Sequence, residues 1–388
     1  MHGAVLPRPG GLPDILPAAL HAVGLSPNPV TLTDPLVTTA DSETSQGSNE
    51  QLPALSFPTA SRACVVLADG LGFNQLRARR GHVPNIRAAG LSDPVTTVAP
   101  STTAAGITSF GTSQLPGRTA MAGYALRVPG EKKTFSLISW DDPQVRPEQW
   151  QTVPTLFERL PGEPVSIIQP QKFVKSGLTL AALRGATTVV AETLPDRVNA
   201  AAFQLKRNTK LVYLYWGEID AVGHKHGWQS EQWTKELELF DAEFGRLLRI
   251  LPPDTLVVLT ADHGMVDVTE RIDIAKNPAL YTGVDCVAGE SRAVHLYTDH
   301  PQEVAARWSQ ELGEKAWVLE TDQAIAAGIF GPTTATTRQR IGDVLAFARG
   351  TTVLVDSRYQ SEKAINLIGV HGSLTAAEME IPCIATLT

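Results

Sequence analysis

The sequence predicts an α/β fold: a largely parallel central sheet with helices on both faces, and a smaller α+β insertion before the chain returns to the sheet. Three observations carry this. Short continuous apolar runs at Ala63–Ala68, Leu211–Trp216 (LVYLYW) and Leu256–Thr260 (LVVLT) have the composition of strands buried on both faces. Helical periodicity lies between them, most clearly over Glu231–Leu251, with Leu237, Leu239, Phe240, Phe244, Leu247 and Leu248 as its apolar positions. Each of the three runs is followed by an aspartate, where open α/β sheets bind their ligands.

The elements follow in chain order. Residues 1–60 read as an N-terminal arm, with one short amphipathic helix in Leu12–Gly24 and a flexible segment over Ser26–Leu55, rich in Thr, Ser, Pro and Asp. The core begins at Ala63. Helical patterns follow at Phe73–Arg80 and Val83–Ala89, and a small-residue helix at Thr103–Ser113. Val165–Gln169 and Thr187–Ala191 are further strands. Beyond 268 the pattern changes. Ala293–Thr298 and Ala316–Leu319 read as short strands and Gln302–Leu312 as a helix. Val344–Ala348 and Thr352–Val355 read as a hairpin turning at Arg349-Gly350-Thr351. A last strand, Ile381–Thr386, closes the chain. The expected division is a core over 61–268 and 365–388, with the insertion over 269–364.

Composition narrows the function. The chain has 388 residues, 43% hydrophobic and 19% charged, enough to bury a sizeable core. A net charge of −7 argues against a dedicated nucleic-acid binder. The three cysteines, Cys64, Cys286 and Cys383, are scattered with no CxxC, so neither a disulfide framework nor a thiolate zinc site is expected. Cys64 and Cys383 sit in apolar runs and read as buried. No stretch of 18 apolar residues and no secretory signal is seen, so the expectation is a cytoplasmic protein with no membrane contact. Nothing here defines an oligomeric state.

The chemistry-bearing residues cluster at strand ends. Asp69 follows the first core strand. Asp220 and His224 follow LVYLYW as Asp-x-x-x-His. Asp262 and His263 follow LVVLT, and His371 lies in Gly369-Val370-His371-Gly372. Each alone reads as a turn residue, a loop pair or a helix cap, Asp262-His263 capping a helix from Gly264. Together they are three carboxylates and three imidazoles, a donor set suited to zinc and similar divalent ions. Candidate nucleophiles lie in Pro100-Ser101-Thr102-Thr103, before a helix whose N-terminus suits a phosphate oxyanion. The same cluster is also an ordinary Ser/Thr cap.

The order Asp69-Gly70, Pro100-Ser101-Thr102-Thr103, Asp220-x-x-Gly223-His224, Asp262-His263-Gly264-Met265 and His371-Gly372 resembles the alkaline phosphatase superfamily. It is most similar to the nucleotide pyrophosphatase/phosphodiesterase branch, over about residues 62–125, 210–268 and 365–388. The resemblance implies an alkaline phosphatase-like fold and two divalent metal ions, usually Zn²⁺, with Mn²⁺, Fe or Mg²⁺ as alternatives. It assigns Asp69, Thr103, Asp262 and His263 to one ion, and Asp220, His224 and His371 to the other. Thr103 is the implied nucleophile, with Thr102 its neighbouring alternative and Ser101 behind it. The implied mechanism is in-line attack on phosphorus, a phospho-threonine intermediate hydrolysed by water, and net retention.

The sequence departs from that pattern in one place. The Asn that phosphodiesterase members carry after the nucleophile helix is replaced by Gly123 or Tyr124, so Tyr124 is either a candidate substrate contact through its hydroxyl or a core aromatic. Arg292 is a second candidate, opening a strand of the insertion, with a surface Arg as the plainer reading. His226 reads as a loop residue near the second ion. Trp140, Trp150 and Trp228 are packing residues or platforms for a base. The absence of a Cys/Ser-x-Pro-x-Arg motif argues against a sulfatase. The expected function is metal-dependent hydrolysis of a small-molecule phosphoester, most simply a phosphodiester or nucleotide pyrophosphate. The alternatives are a phosphomonoesterase or phosphonate hydrolase, a phosphomutase, and a silent phosphoester-binding member.

Overall fold

A computed structural model of the protein describes residues 1–37, 54–91 and 93–388. The expected flexible segment falls largely on residues 38–53, outside the described residues.

Six strands form the central sheet, in the order Cys383–Leu387, Thr255–Thr260, Arg62–Ala68, Leu211–Trp216, Val165–Gln169, Thr187–Val190. The last five are parallel and Cys383–Leu387 runs antiparallel at one edge. Every residue of Thr255–Thr260 is buried, and the interior of Arg62–Ala68 likewise, which is why both read as uninterrupted apolar runs. The register sets Ala68 opposite Trp216 and Leu67 opposite Thr260. The chain therefore leaves three neighbouring strands at one level, and Asp69, the Gly217–Asp220 segment and Asp262 emerge side by side.

Helices cover both faces. Glu231–Ile250 is started by Ser230, whose hydroxyl accepts a hydrogen bond from the Trp233 N–H at 3.1 Å. Trp233, Leu237, Phe240, Phe244 and Leu247 form its buried stripe, whereas Leu239, expected inside, is 62% exposed because it falls off that stripe. The N-terminal helix spans Leu12–Ala22 and is fully packed: Leu12, Ile15, Leu16, Ala19 and Leu20 join the same core cluster as the central strands. Burying each such leucine or isoleucine stabilises by roughly 1.5–3 kcal/mol, so this helix is part of the fold's foundation.

The insertion holds a four-stranded antiparallel sheet in the order Cys286–Glu290, Ala293–Tyr297, Val344–Ala348, Ala316–Glu320. The expected hairpin is not formed. Val344–Ala348 and Thr352–Val355 are both strands, but the second leaves the sheet and pairs in parallel with Glu270–Asp273. Its two faces serve different cores, which explains the departure. Leu354 packs with Ile274, Val294 and Leu296, while Val353 and Val355 pack with Val266 and Val370. A second clip, Val266–Asp267 antiparallel to Gly369–Val370, brings the start and end of this region together and sets His371 near His263. The expected last strand is split at Pro382: Glu380–Ile381 pairs with Val95–Thr96, and Cys383–Leu387 with the central sheet. Cys64 is buried as expected, but Cys383 lies on the edge strand and is only half-buried. Among the described residues, no helix is long and apolar enough to cross a membrane.

Candidate metal centre

The carboxyl edge of the central sheet gathers all six Asp and His candidates. Asp69 ends its strand, and its N–H donates to the Trp216 carbonyl across the sheet. Its Oδ2 accepts a 2.5 Å hydrogen bond from the Tyr215 hydroxyl, which fixes the carboxylate. Gly70 follows with φ of 71°, a conformation that favours glycine, and a Cβ there would stand 2.9 Å from the Asp220 side chain. Asp262 is fully buried, and its Oδ1 accepts from the Gly70 and His263 N–H groups at 3.3 and 3.1 Å. Gly106 permits this approach, because a Cβ there would stand 2.9 Å from Asp262 Cβ. Gly264 starts no helix; the chain continues to the strand Val266–Asp267.

Asp220 and His224 lie on the helix Glu218–His226 rather than in a loop. The i,i+4 spacing puts them on one face, with Nε2 3.2 Å from Oδ2. His226 is the last residue of the same helix. His371 stands 3.9 Å from Asp220 Oδ1, and its ring stacks on His263 with centroids 3.5 Å apart. Thr103 is the first residue of the helix Thr103–Thr112, and its Oγ1 lies 3.1 Å from His263 Nε2. Ser101 is spoken for: its hydroxyl donates to Ser373 O at 2.6 Å and accepts from Gly372 N–H. Thr102 is buried at the helix cap.

The donor set fits divalent cations. Asp69 Oδ1, Asp220 Oδ1 and Asp262 Oδ2 are buried oxygens without a hydrogen-bond partner. All three imidazoles face a backbone carbonyl through Nδ1: His224 to Gly369, His263 to Gly264 and His371 to Ser101. A carbonyl only accepts, so Nδ1 carries the proton and the Nε2 lone pair is left toward the carboxylates. Asp69, Asp262 and His263 bring one ligand atom each within 4.8 Å of one another, and so do Asp220, His263 and His371. His263 thus borders both groups.

The electrostatics ask for positive charge. Burial raises the Asp69 carboxyl, and the charges of Asp262 and Asp220 raise it further. Burial also raises Asp262, only partly offset by His263. Burial acts to raise Asp220 too, but the charge and hydrogen bond of His224, with His371 and His263, hold it below its ordinary value. Burial works against charging His224, yet Asp220 pushes it up to about 9.

A cavity of about 420 Å³ opens from this edge, lined by His224, His371, Thr102, Tyr124 and Glu290 among others. Tyr124 is 45% exposed there, not a core aromatic. Arg292 does not reach the cavity, and it is not a surface residue either. It is fully buried, with Nε and Nη2 on the two oxygens of Glu378 at 3.0 and 2.6 Å and Nη1 donating to the Thr352 carbonyl. The tryptophans pack rather than line it. Trp150 is buried and donates to Ala120 O, Trp140 donates to Val145 O, and Trp228 lies under Arg79. Sequence reasoning missed Tyr215, the Asp69 partner, and Glu290 on the cavity wall. Only the terminal Tyr of LVYLYW, beside the strand-end Asp69 in the sheet, hinted at the first.

Fold and donor set together define an alkaline phosphatase-like α/β protein with an Asp/His cluster at the carboxyl edge of its sheet. The family profile "Type I phosphodiesterase / nucleotide pyrophosphatase" matches residues 63–374, and the chain belongs to that family, a branch of the alkaline phosphatase superfamily. Among solved structures it is similar to murine ectonucleotide pyrophosphatase/phosphodiesterase 5, with a TM-score of 0.65 and 18% identity over 84% of this chain and 87% of that one. It is also similar to phosphonoacetate hydrolase from Sinorhizobium meliloti 1021, with a TM-score of 0.66 and 18% identity over 91% and 94%. Phosphopentomutase from Shewanella putrefaciens (strain CN-32 / ATCC BAA-453) is 28% identical over 128 residues, 32% of this chain. That match spans only 31% of the mutase.

Proposed function

We propose that the protein hydrolyses phosphodiesters through Thr103, with two divalent cations held by Asp69, Thr103, Asp262 and His263 and by Asp220, His224 and His371. The observation that carries this is the Thr103 hydroxyl, 3.1 Å from His263 Nε2 at the head of a helix and beside three unpartnered buried carboxylate oxygens. Cations there would supply Lewis-acid charge to the attacking hydroxyl and the leaving oxygen. The chain's own residues do the rest. Tyr215 and Gly70 N–H hold Asp69 and Asp262 in place. The backbone carbonyls of Gly369, Gly264 and Ser101 fix the imidazoles. Thr103 Oγ attacks phosphorus in line as its proton passes to solvent, the P–O bond to the leaving group breaks and the leaving oxygen takes a proton from solvent, and water then hydrolyses the phospho-threonine, returning the Thr103 hydroxyl. The free N–H groups of the helix's first turn face the phosphoryl oxygens, a role the missing Asn would otherwise share.

The ligands that similar structures contain support a small phosphoester site: a murine ectonucleotide pyrophosphatase/phosphodiesterase 5 variant holds AMP, and the phosphonoacetate hydrolase holds phosphonoformate. Among the described residues, no lysine or arginine lines the cavity to receive a carboxylate beside phosphorus, which disfavours a phosphonoacetate-like substrate. A mutase role is weaker still, since the mutase match spans under a third of either chain.

The test is elemental analysis beside turnover of bis-p-nitrophenyl phosphate and p-nitrophenyl phosphate. Near two metals per chain with diester preference is expected. Monoester preference reassigns the reaction, and failure to take up metal removes the site.

Metal uptake should depend on pH with a definite sign. Without ions His224 sits at about 9, so its ring is protonated near neutrality, and Asp69 and Asp262 are also raised. Cations take only the neutral ring and the ionised carboxylates, so uptake releases protons and weakens as pH falls below about 9. Each proton released should change the apparent affinity about tenfold per pH unit. Competition with a chromogenic chelator at pH 6.5, 7.5 and 8.5 measures this, and a flat affinity would contradict the protonated pair.

A further inference from the structure

We propose that Glu290 is a positioning residue that draws the Thr102 side chain away from the helix Thr103–Thr112, so that the N–H groups of the helix's first turn stay open for the phosphoryl oxygens. This rests on the phosphodiesterase reading and adds the part that keeps its anion-binding end uncapped.

Thr102 stands at the N-cap of that helix with an extended backbone, φ −133° and ψ 150°. In that geometry a threonine hydroxyl ordinarily accepts an N–H two or three residues on. Elsewhere in the chain Ser176, Thr193, Ser230, Thr334 and Ser361 each accept the N–H three residues on. Thr102 makes no such bond. The N–H groups of Ala104 and Ala105, which its hydroxyl would reach, have no partner among the described residues. A buried helix end left open in this way calls for a ligand, and an anion suits it.

Glu290 accounts for the diversion. It ends the strand Cys286–Glu290 of the insertion, and its carboxyl takes a hydrogen bond from the Thr102 hydroxyl. The carboxyl is itself held on two sides. Oε2 accepts the Tyr124 N–H at 2.8 Å. Oε1 is buried against Gly372, where an added Cβ would stand 2.6 Å from Glu290 Cγ. Thr102 is therefore tethered to a fixed acceptor. Thr375 shows the same device elsewhere: its hydroxyl donates to Glu378 at 2.5 Å, and its helix has no side-chain cap. Burial raises the Glu290 carboxyl to about 8, so the tether works without a charge near neutrality, and a glutamine offers the same carbonyl oxygen.

The test is a double-mutant cycle on the metal-loaded protein. Glu290→Met fills the space without an acceptor and frees the Thr102 hydroxyl to cap Ala105. It should lower kcat for bis-p-nitrophenyl phosphate by about tenfold to a hundredfold and change KM less. Thr102→Val keeps the shape and cannot cap. The double variant Thr102→Val/Glu290→Met should therefore regain activity over Glu290→Met and match Thr102→Val alone. A merely structural Glu290 gives the opposite sign, because the second substitution then adds to the loss. A double variant no better than Glu290→Met, or a Glu290→Met enzyme with wild-type kcat, overturns the proposal. Glu290→Gln should keep most of kcat and decides the matter if Glu290→Met does not fold: lost kcat in Glu290→Gln overturns the tether, and retained kcat supports it. Binding of inorganic phosphate, measured by calorimetry, reads the same N–H groups without turnover; it should weaken in Glu290→Met and recover in the double variant. That binding pattern in a protein without diester hydrolysis counts against the phosphodiesterase reading alone. Diester hydrolysis with no recovery in the double variant counts against Glu290 alone.

Discussion

Thr103→Ala should abolish phosphodiester hydrolysis, lowering kcat by roughly 10³-fold or more, while leaving the fold's stability within ~0.5 kcal/mol. The two halves of this expectation come from different features of one position. Thr103 is the first residue of its helix, where alanine has the better helix propensity. Its hydroxyl is aimed at His263 Nε2. The neighbours serve as controls. Ser101 holds the His371 loop through Ser373 O and Gly372 N–H, so Ser101→Ala should cost stability as well as rate. Thr102 is buried at the cap beside Glu290. If Thr102→Ala is dead and Thr103→Ala turns over, the nucleophile is reassigned to Thr102. Hydrolysis of a chiral phosphorothioate diester adds an independent readout: two displacements through Thr103 give net retention, and inversion would mean direct attack by water.

The centre was legible in the sequence because its residues hang on features that sequence shows directly. Asp69 and Asp262 follow uninterrupted apolar strands, and Asp220 and His224 share the i,i+4 spacing of one helix face. Residues whose roles depend on long-range pairing were not legible. Thr352–Val355 looked like the return arm of a hairpin because Arg349-Gly350-Thr351 has turn composition. Its partner is instead Glu270–Asp273, and the choice is made by two cores that meet only in space. Leu239 fits a helical apolar pattern locally, but the stripe is set by what the helix packs against. Glu290 carries no pattern at all: a strand-end glutamate reads as surface until the cavity and the Tyr124 amide are known. Burial raises its carboxyl to about 8, with the Thr102 hydroxyl and Tyr124 amide opposing and Glu378 adding to the rise.

The largest stability effect is expected from Arg292→Met, which should cost about 3–5 kcal/mol by leaving Glu378 charged and unpaired in the interior. Both side chains are fully buried, and the pair joins elements 86 residues apart. Glu378 also accepts from Ser373 N–H at 3.0 Å and from the Thr375 hydroxyl at 2.5 Å, and its carbonyl accepts from Gly264 N–H. One ion pair therefore ties the start of an insertion strand to the His371 loop and to the turn that follows His263. Its loss should lower the denaturant midpoint and, in the fraction that stays folded, weaken metal retention by loosening His371. The double variant Arg292→Met/Glu378→Leu removes both charges and should recover much of the stability, because the cost lies in the orphaned carboxylate more than in the missing attraction. It should not recover metal retention, since the Ser373 and Thr375 hydrogen bonds need the glutamate oxygens. A single variant within ~1 kcal/mol of wild type would show that Glu378 is neutral in the fold, and the strut would then be an ordinary hydrogen bond.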